Sequence, residues 1–263
     1  MKTKDIDSDV VSKVREHNEQ WHDNEAEHYD YIRAELWNFL EQWRINRDIS
    51  KIDDLISGRK VVDIGCGTGN LVLKFANLGY EVKAVDISEN MLEVLEDKLT
   101  GELSERVETF CCEADKYLDP SVEPDVVCFS SVLHHLPDYY EVLSKAISSL
   151  KPGGVIYIVH EPLTHQRDGH PHLEFLDNLL TLKSSIQKWR SPDKTKDTVD
   201  FHIDSKEGVD YEGLIDFFET KGMEIQVKET YSTWKSGVLS TVDNFFRLTS
   251  ESDFKIIAQK ERA

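Results

Sequence analysis

Val61-Val-Asp-Ile-Gly-Cys-Gly-Thr-Gly69 is an apolar, β-branched run that breaks into three glycines at alternate positions, just ahead of a helical pattern over Leu71 to Leu78. The order predicts a strand, a tight turn and a helix. Without a Cβ, Gly65, Gly67 and Gly69 can take positive φ and let a small molecule lie against the backbone. A dinucleotide fingerprint asks for G-x-G-x-x-G after the strand. Here the sixth position is Asn70, so the pattern is G-x-G-x-G and the ligand must be read from the segments that follow.

Glu81-Val-Lys-Ala-Val-Asp86 is a second β-rich run ending in a carboxylate, the position where an open parallel sheet binds ligands and where both hydroxyls of a ribose can be accepted. Glu113-Ala114-Asp115, Asp125-Val-Val-Cys-Phe-Ser130, and Leu150-Lys-Pro-Gly-Gly154 leading into Val155–Val159 come next in that order. Together these residues resemble the class I S-adenosylmethionine-dependent methyltransferases. Within that family the resemblance is to the small-molecule enzymes whose fourth strand is followed by His-His-Leu, here His134-His135-Leu136. It covers residues 58 to 160 motif by motif and is architectural elsewhere.

The resemblance implies S-adenosyl-L-methionine as cofactor. By position it places Asp63, Gly65, Cys66, Gly67 and Gly69 at the methionine end and Asp86 on the ribose hydroxyls. Ile87 flanks the adenine, Asp115 accepts from its amino group, Ala114 offers a backbone N–H, and Ser130 faces the methionine ammonium. Trp21 to Asp30 resembles the Trp, Ala, Tyr-Asp pattern that precedes the core in family members, which puts Tyr29 near the cofactor; a core aromatic on a packing helix is the alternative. The physics agrees, since this cofactor carries a sulfonium and an ammonium and no phosphate, so an Asp-rich cradle suits it. The alternative for each carboxylate is a solvated or helix-capping residue.

The chain has 263 residues, 39% of them apolar, enough for a substantial core. Fifty acidic against 31 basic residues give a net charge of −19. That balance repels phosphate backbones and disfavours a nucleic-acid partner. No stretch reaches the roughly 20 apolar residues of a membrane span, and Met1–Asp9 has no signal-peptide core. The expectation is a cytoplasmic protein. Cys66, Cys111, Cys112 and Cys128 fall on or beside predicted strands or the glycine turn without zinc-ligand spacing, which points to buried free thiols.

The fold expected is α/β: a doubly wound, Rossmann-like seven-stranded sheet with the last strand antiparallel, N-terminal helices and a helical cap insertion. Residues 1–57 read as helical, with Tyr29, Ile32, Leu36, Phe39 or Leu40, and Trp43 as one inward stripe. Residues 58–160 alternate strands and helices as the cofactor-binding core. Residues 161–208 form an insertion with Leu173, Leu176, Leu179 or Leu180, Ile186 and Trp189 on one helical face, ending in the polar breaker Ser191–Asp197. This insertion is expected to cap the acceptor, with a plain packing helix or a homodimer contact as alternatives. Residues 209–263 return to the sheet through a helix at Tyr211–Lys221 and strands at Glu224–Thr230 and Phe254–Lys260.

Methyl transfer to a small-molecule acceptor is an in-line displacement in which the protein aligns the acceptor and excludes water. An acceptor hydroxyl or protonated amine also needs a base. His134, His135 and His160 follow the fourth and fifth strands and are the candidates. His160, Glu161, His165, His170 and His172 crowd together, but their spacing is no known ligand motif, and no metal site is assigned. His17, His22, His28 and His202 give no independent signal. The competing functions are a nicotinamide-dependent Rossmann oxidoreductase and a noncatalytic cofactor-binding regulator.

Overall fold

The computed structural model describes residues 8–163, 171–181 and 208–262. Its seven strands are β1 (Lys60–Ile64), β2 (Glu81–Asp86), β3 (Val107–Cys111), β4 (Val126–Ser130), β5 (Val155–Pro162), β6 (Met223–Tyr231) and β7 (Asp253–Lys260). They lie in the order β3-β2-β1-β4-β5-β7-β6. Strands β1 to β5 pair in parallel, while β7 runs antiparallel to both β5 and β6. This is the sheet read from the sequence.

The continuous apolar runs follow from burial on both faces. Val62, Ile64, Val127, Phe129, Ile156 and Ile158 face helices α9 (Tyr139–Ser149) and α11 (Tyr211–Thr220) through Leu143, Ala146, Leu214 and Phe218. Val61, Val126, Cys128, Val155 and Tyr157 face α4 (Phe39–Leu55), α5 (Asn70–Asn77) and α6 (Glu89–Lys98) through Ile45, Ile49, Ile52, Phe75 and Leu95. Each fully buried aliphatic side chain contributes about 1.5–3 kcal/mol relative to exposure. The Lys151-Pro152-Gly153-Gly154 element is a tight turn closed by Gly154 N–H donating to Lys151 O at 2.9 Å, with Gly153 at φ +79° where only glycine is unstrained.

The N-terminal region departs from the single inward stripe. It is α1 (Ser8–Glu25), the short turns α2 (Tyr29–Ile32) and α3 (Ala34–Trp37), and then α4. The chain leaves helical geometry at Arg33 and again at Asn38, whose side chain caps α4 by accepting from Leu40 N and Glu41 N. Phe39 and Trp43 are therefore exposed, at 61% and 55%. The buried face of α4 instead carries Glu41, Arg44 and Asp48 among Ile45, Ile49 and Ile52. Those charges are hidden because β5, β6 and β7 supply partners for them.

Three further helices, α7 (Glu102–Arg106), α8 (Ala114–Tyr117) and α12 (Gly237–Phe246), were not expected, and α10 (Pro171–Leu180) is the described part of the insertion. Side chains of α10 that were expected to face inward point outward: Leu176 is 38% exposed, Leu179 54% and Leu180 49%, and Leu173 is half-buried. The buried residue of α10 is Asp177, which accepts from Lys235 N and Ser236 N where α12 begins. Ile186, Trp189, Ser191–Asp197, His165, His170 and His202 lie outside the described residues. Among the described residues no helix is long and apolar enough to cross a membrane.

Candidate functional site

A cleft of about 1500 Å³ opens where β1, β2, β3 and β4 end. It lies at the switch point between β2-β1 and β4-β5, the place at which open α/β sheets bind ligands. Its floor is the glycine turn, pinned by Gly65 N and Cys66 N donating to Val85 O at 2.8 and 3.1 Å.

The three glycines do different work. At Gly67 (φ +50°) a Cβ would meet only Tyr29 Cε1, at 3.9 Å, so this position keeps the cleft open. At Gly65 a Cβ would stand 2.3 Å from Val132 Cγ2, and at Gly69 2.3 Å from Leu95 Cδ1. Gly69 thus admits α6 against the turn and does not line the cleft. The expectation that all three face the ligand is corrected accordingly.

Asp86 lines the cleft at the end of β2. It accepts from Gly67 N (2.8 Å) and Ser88 N (3.0 Å), which ties the carboxylate to the glycine turn and leaves lone pairs for a ligand. Burial raises its pKa despite those bonds. Asp63 lies beneath the turn, buried and off the cleft wall, with Oδ1 meeting no hydrogen-bond donor. Burial first, and the Asp86 charge second, hold its carboxyl well above the usual range. Cys66 is likewise buried and off the wall, its thiol pushed up by the same causes.

Ile87, Ala114, Asp115, Ser130 and Tyr29 all line the cleft. Burial raises the Tyr29 phenol to about 12, so it is a neutral donor. Glu113 and Asp115 both pair with Arg15, the latter at 3.5 Å, and Lys145 stands 3.8 Å from Asp115.

The three histidines separate. His135 lines the cleft. His134 points behind it, with Nδ1 2.9 Å from Glu161 Oε2. The fully buried Glu161 also accepts from the backbone N–H groups of Val132 (2.7 Å), Leu133 (2.9 Å) and His134 (3.3 Å), so one carboxylate from β5 shapes the loop after β4. His160 sits at φ +58° where the β5–β7 register shifts, and its ring is buried against Tyr231 Oη at 3.2 Å and Glu41 Oε2 at 3.7 Å. Burial, then Arg44 and Lys255, lower its pKa to about 3. His134 and His160 are therefore not at the cleft surface. Neither is His172, on α10.

The sequence reading missed one wall entirely. Val11, Arg15, Asn18 and His22 line the cleft from one face of α1 at 4-3-4 spacing. Their mixed chemistry hides the periodicity from any search for apolar stripes. Ser131 (φ +54°) and Val132, the turn after β4, also line it; Ser131 Oγ donates to His160 O at 2.8 Å. At the far end the cleft runs over α9 and α11, past Tyr140 and Phe217. Among the described residues no group of three or more His, Cys, Asp or Glu side chains could hold a metal ion.

Residues 61–154 match the family described as a methyltransferase domain. The ubiquinone biosynthesis O-methyltransferase of Cupriavidus pinatubonensis (strain JMP 134 / LMG 1197) is 33% identical over 104 residues, 39% of this chain and 41% of that protein. Its namesake from Vibrio vulnificus (strain YJ016) is 29% identical over 164 residues, 59% of this chain and 63% of that protein. This chain thus matches two fifths to just under two thirds of the length of these relatives. The crystal structure of magnesium protoporphyrin IX methyltransferase from Synechocystis PCC 6803 with bound S-adenosylmethionine superposes with a TM-score of 0.56 at 15% identity, covering 99% of this chain and 100% of that one. At that identity the likeness is one of fold.

Proposed function

We propose, from the premise that this chain carries a class I S-adenosylmethionine-dependent methyltransferase core, that it transfers a methyl group to a small-molecule acceptor by in-line displacement. The observation that carries this reading is the open backbone at Gly67 beside the buried carboxylates of Asp86 and Asp63. A ligand bearing two positive centres and no phosphate fits that cradle, and the buried Asp63 Oδ1, which meets no donor beneath the turn, supports it. When bound, the cofactor supplies a methyl group activated on a sulfonium.

The chain's own residues do the rest. Gly65 and Gly67 give backbone contact at the methionine end, with Asp63 acting through the turn from below. Ser130 faces the ammonium and Asp86 the ribose. Ile87, Ala114 and Asp115 form the adenine wall, and Tyr29 closes it. His135 is the residue placed to take a proton from the acceptor; His134 holds the loop that carries it.

Asn70 and the acidic cradle speak against a nicotinamide dinucleotide, whose pyrophosphate needs a glycine at the sixth position and donors around it. The net charge of −19 speaks for a small acceptor over nucleic acid. A cytoplasmic setting belongs to the same proposal, supported by four unpaired cysteines. Isothermal calorimetry with S-adenosylhomocysteine and with NADH tests the cofactor, and S-adenosylhomocysteine release over a panel of phenols and amines tests the chemistry. Binding of NADH alone would overturn the reading. Tight cofactor binding without turnover on any acceptor would favour the regulator.

A further inference from the structure

Resting on the methyl-transfer reading, we propose that His22 and His135 form a paired-imidazole site that faces the methyl donor and takes the acceptor's proton. The two rings meet edge to face, 5.3 Å between centroids and 82° apart, and both line the cleft. They come from different elements, His22 from α1 and His135 from the turn after β4. Tyr29 lies against His22 at 6.1 Å, on the side where Gly67 opens. The pair therefore stands between the glycine turn and the part of the cleft that runs out over α9.

Each ring is positioned from behind. The His134 ring, fixed by Glu161, lies 4.1 Å from that of His135. Asn18 Nδ2 donates to His135 O at 3.2 Å, which ties α1 to the same turn. One turn further along α1, Asp23 accepts from Ser88 Oγ at 2.5 Å and from Asn90 N at 3.4 Å, anchoring the helix to the start of α6. Titratable and charged groups lining the cleft with the pair include Arg15 on α1, Tyr29 on α2, Asp86 at the end of β2, Glu113 and Asp115 after β3, and Asp138 and Glu141 where α9 begins, with His134 and Glu161 behind His135 and Glu19, Asp23 and Glu25 beside His22 along α1.

Imidazoles this close, with the His134 ring behind His135 included, influence one another's protonation, because a second charge is disfavoured by the first. As the acceptor's lone pair forms the new bond to the methyl carbon, the carbon–sulfur electron pair stays on sulfur and the acceptor's proton passes to an imidazole nitrogen. A sulfonium is thereby exchanged for an imidazolium, and charge balances. A proton-taking pair is useless to a thioether or tertiary amine, which lose no proton. The acceptor class is accordingly a hydroxyl or an amine bearing N–H.

NMR titration of the histidine ring protons tests this without an acceptor. S-adenosylmethionine and S-adenosylhomocysteine differ by the methyl group and its positive charge. A unit charge about 5 Å from the pair lowers an imidazole pKa by about 0.5–1 unit. Both His22 and His135, assigned by loss of their signals in His22→Gln and His135→Gln, should titrate lower in the S-adenosylmethionine complex, and the exposed His28 should not move. Equal titration in the two complexes, or a shift at His135 with none at His22, overturns the proposal. If calorimetry shows that neither compound binds, the methyl-transfer reading itself falls, and this inference with it.

Discussion

Lys255 donates to both carboxylate oxygens of Asp48, at 2.7 and 2.8 Å, across 207 positions of chain and away from solvent. Tyr157 Oη donates to the same carboxylate at 3.1 Å, so α4, β5 and β7 meet at one buried charge pair. Removing Lys255 leaves the buried Asp48 carboxylate with only Tyr157 and the more distant Arg47, at 3.6 Å. Lys255→Met should cost about 3–5 kcal/mol, and the double variant Asp48→Leu/Lys255→Met should recover most of it. Urea unfolding of the parent, the two single variants and the double variant gives the coupling; strict additivity would show that the pair is not a unit.

The glycines separate stability from binding. Gly69→Ala drives a Cβ into Leu95 at φ +93° and should destabilise by about 1–3 kcal/mol. Gly67→Val, with open space around it, should cost about 1 kcal/mol of backbone strain yet abolish S-adenosylhomocysteine binding by filling the cleft. Thermal unfolding paired with calorimetry reads both. Retained affinity in Gly67→Val would place the ligand elsewhere.

Glu161 is met by three backbone N–H groups and the His134 ring. Glu161→Ala strands all of these donors at once and should destabilise by about 3–5 kcal/mol. Denaturant unfolding that shows less than about 1 kcal/mol would mean that the turn after β4 is held by other means.

Burial raises the Glu41 carboxyl to about 7. Its folded pKa lies above the unfolded value, so the folded chain binds the extra proton between about pH 4.5 and 7. The stability tied to that proton is fully present below pH 4.5 and is lost as pH rises through 7. Relative to Glu41→Gln, which cannot ionise, the parent should lose about 3 kcal/mol across this window and then level off. Denaturant unfolding at half-unit steps checks it. A parent that gains on the variant as pH rises reverses the sign.

The parallel half of the sheet was legible where its strands are buried on both faces, as in β1, β4 and β5, and where β1 runs into glycine and β2 ends in a carboxylate. One wall of the cleft followed, since Asp86, Ala114, Asp115 and Ser130 sit at fixed offsets from those ends. Where the sequence misled, a charge had gone inside or an apolar group outside. Glu41, Arg44 and Asp48 face the core because Tyr157, His160 and Lys255 await them from strands more than 100 residues away, and no local window records that. Phe39, Trp43, Leu176 and Leu179 broke the converse assumption. His22 was invisible for a third reason: its face of α1 is defined by what it overlooks, and Val11, Arg15 and Asn18 share no chemistry.

The cleft is held together in two different ways. Its glycine-turn half is fastened by main-chain bonds from Gly65 and Cys66 to Val85, which side-chain substitutions leave in place, and the turn after β4 hangs on one side chain, the Glu161 carboxylate. The opposite wall is a single helix, α1, attached through a few side chains such as Asn18 and Asp23. Evolution can therefore rewrite what α1 presents one residue at a time without disturbing the cradle across from it. A change of recipient would then be recorded at Val11, Arg15, Asn18 and His22 while the glycine turn stays as it is.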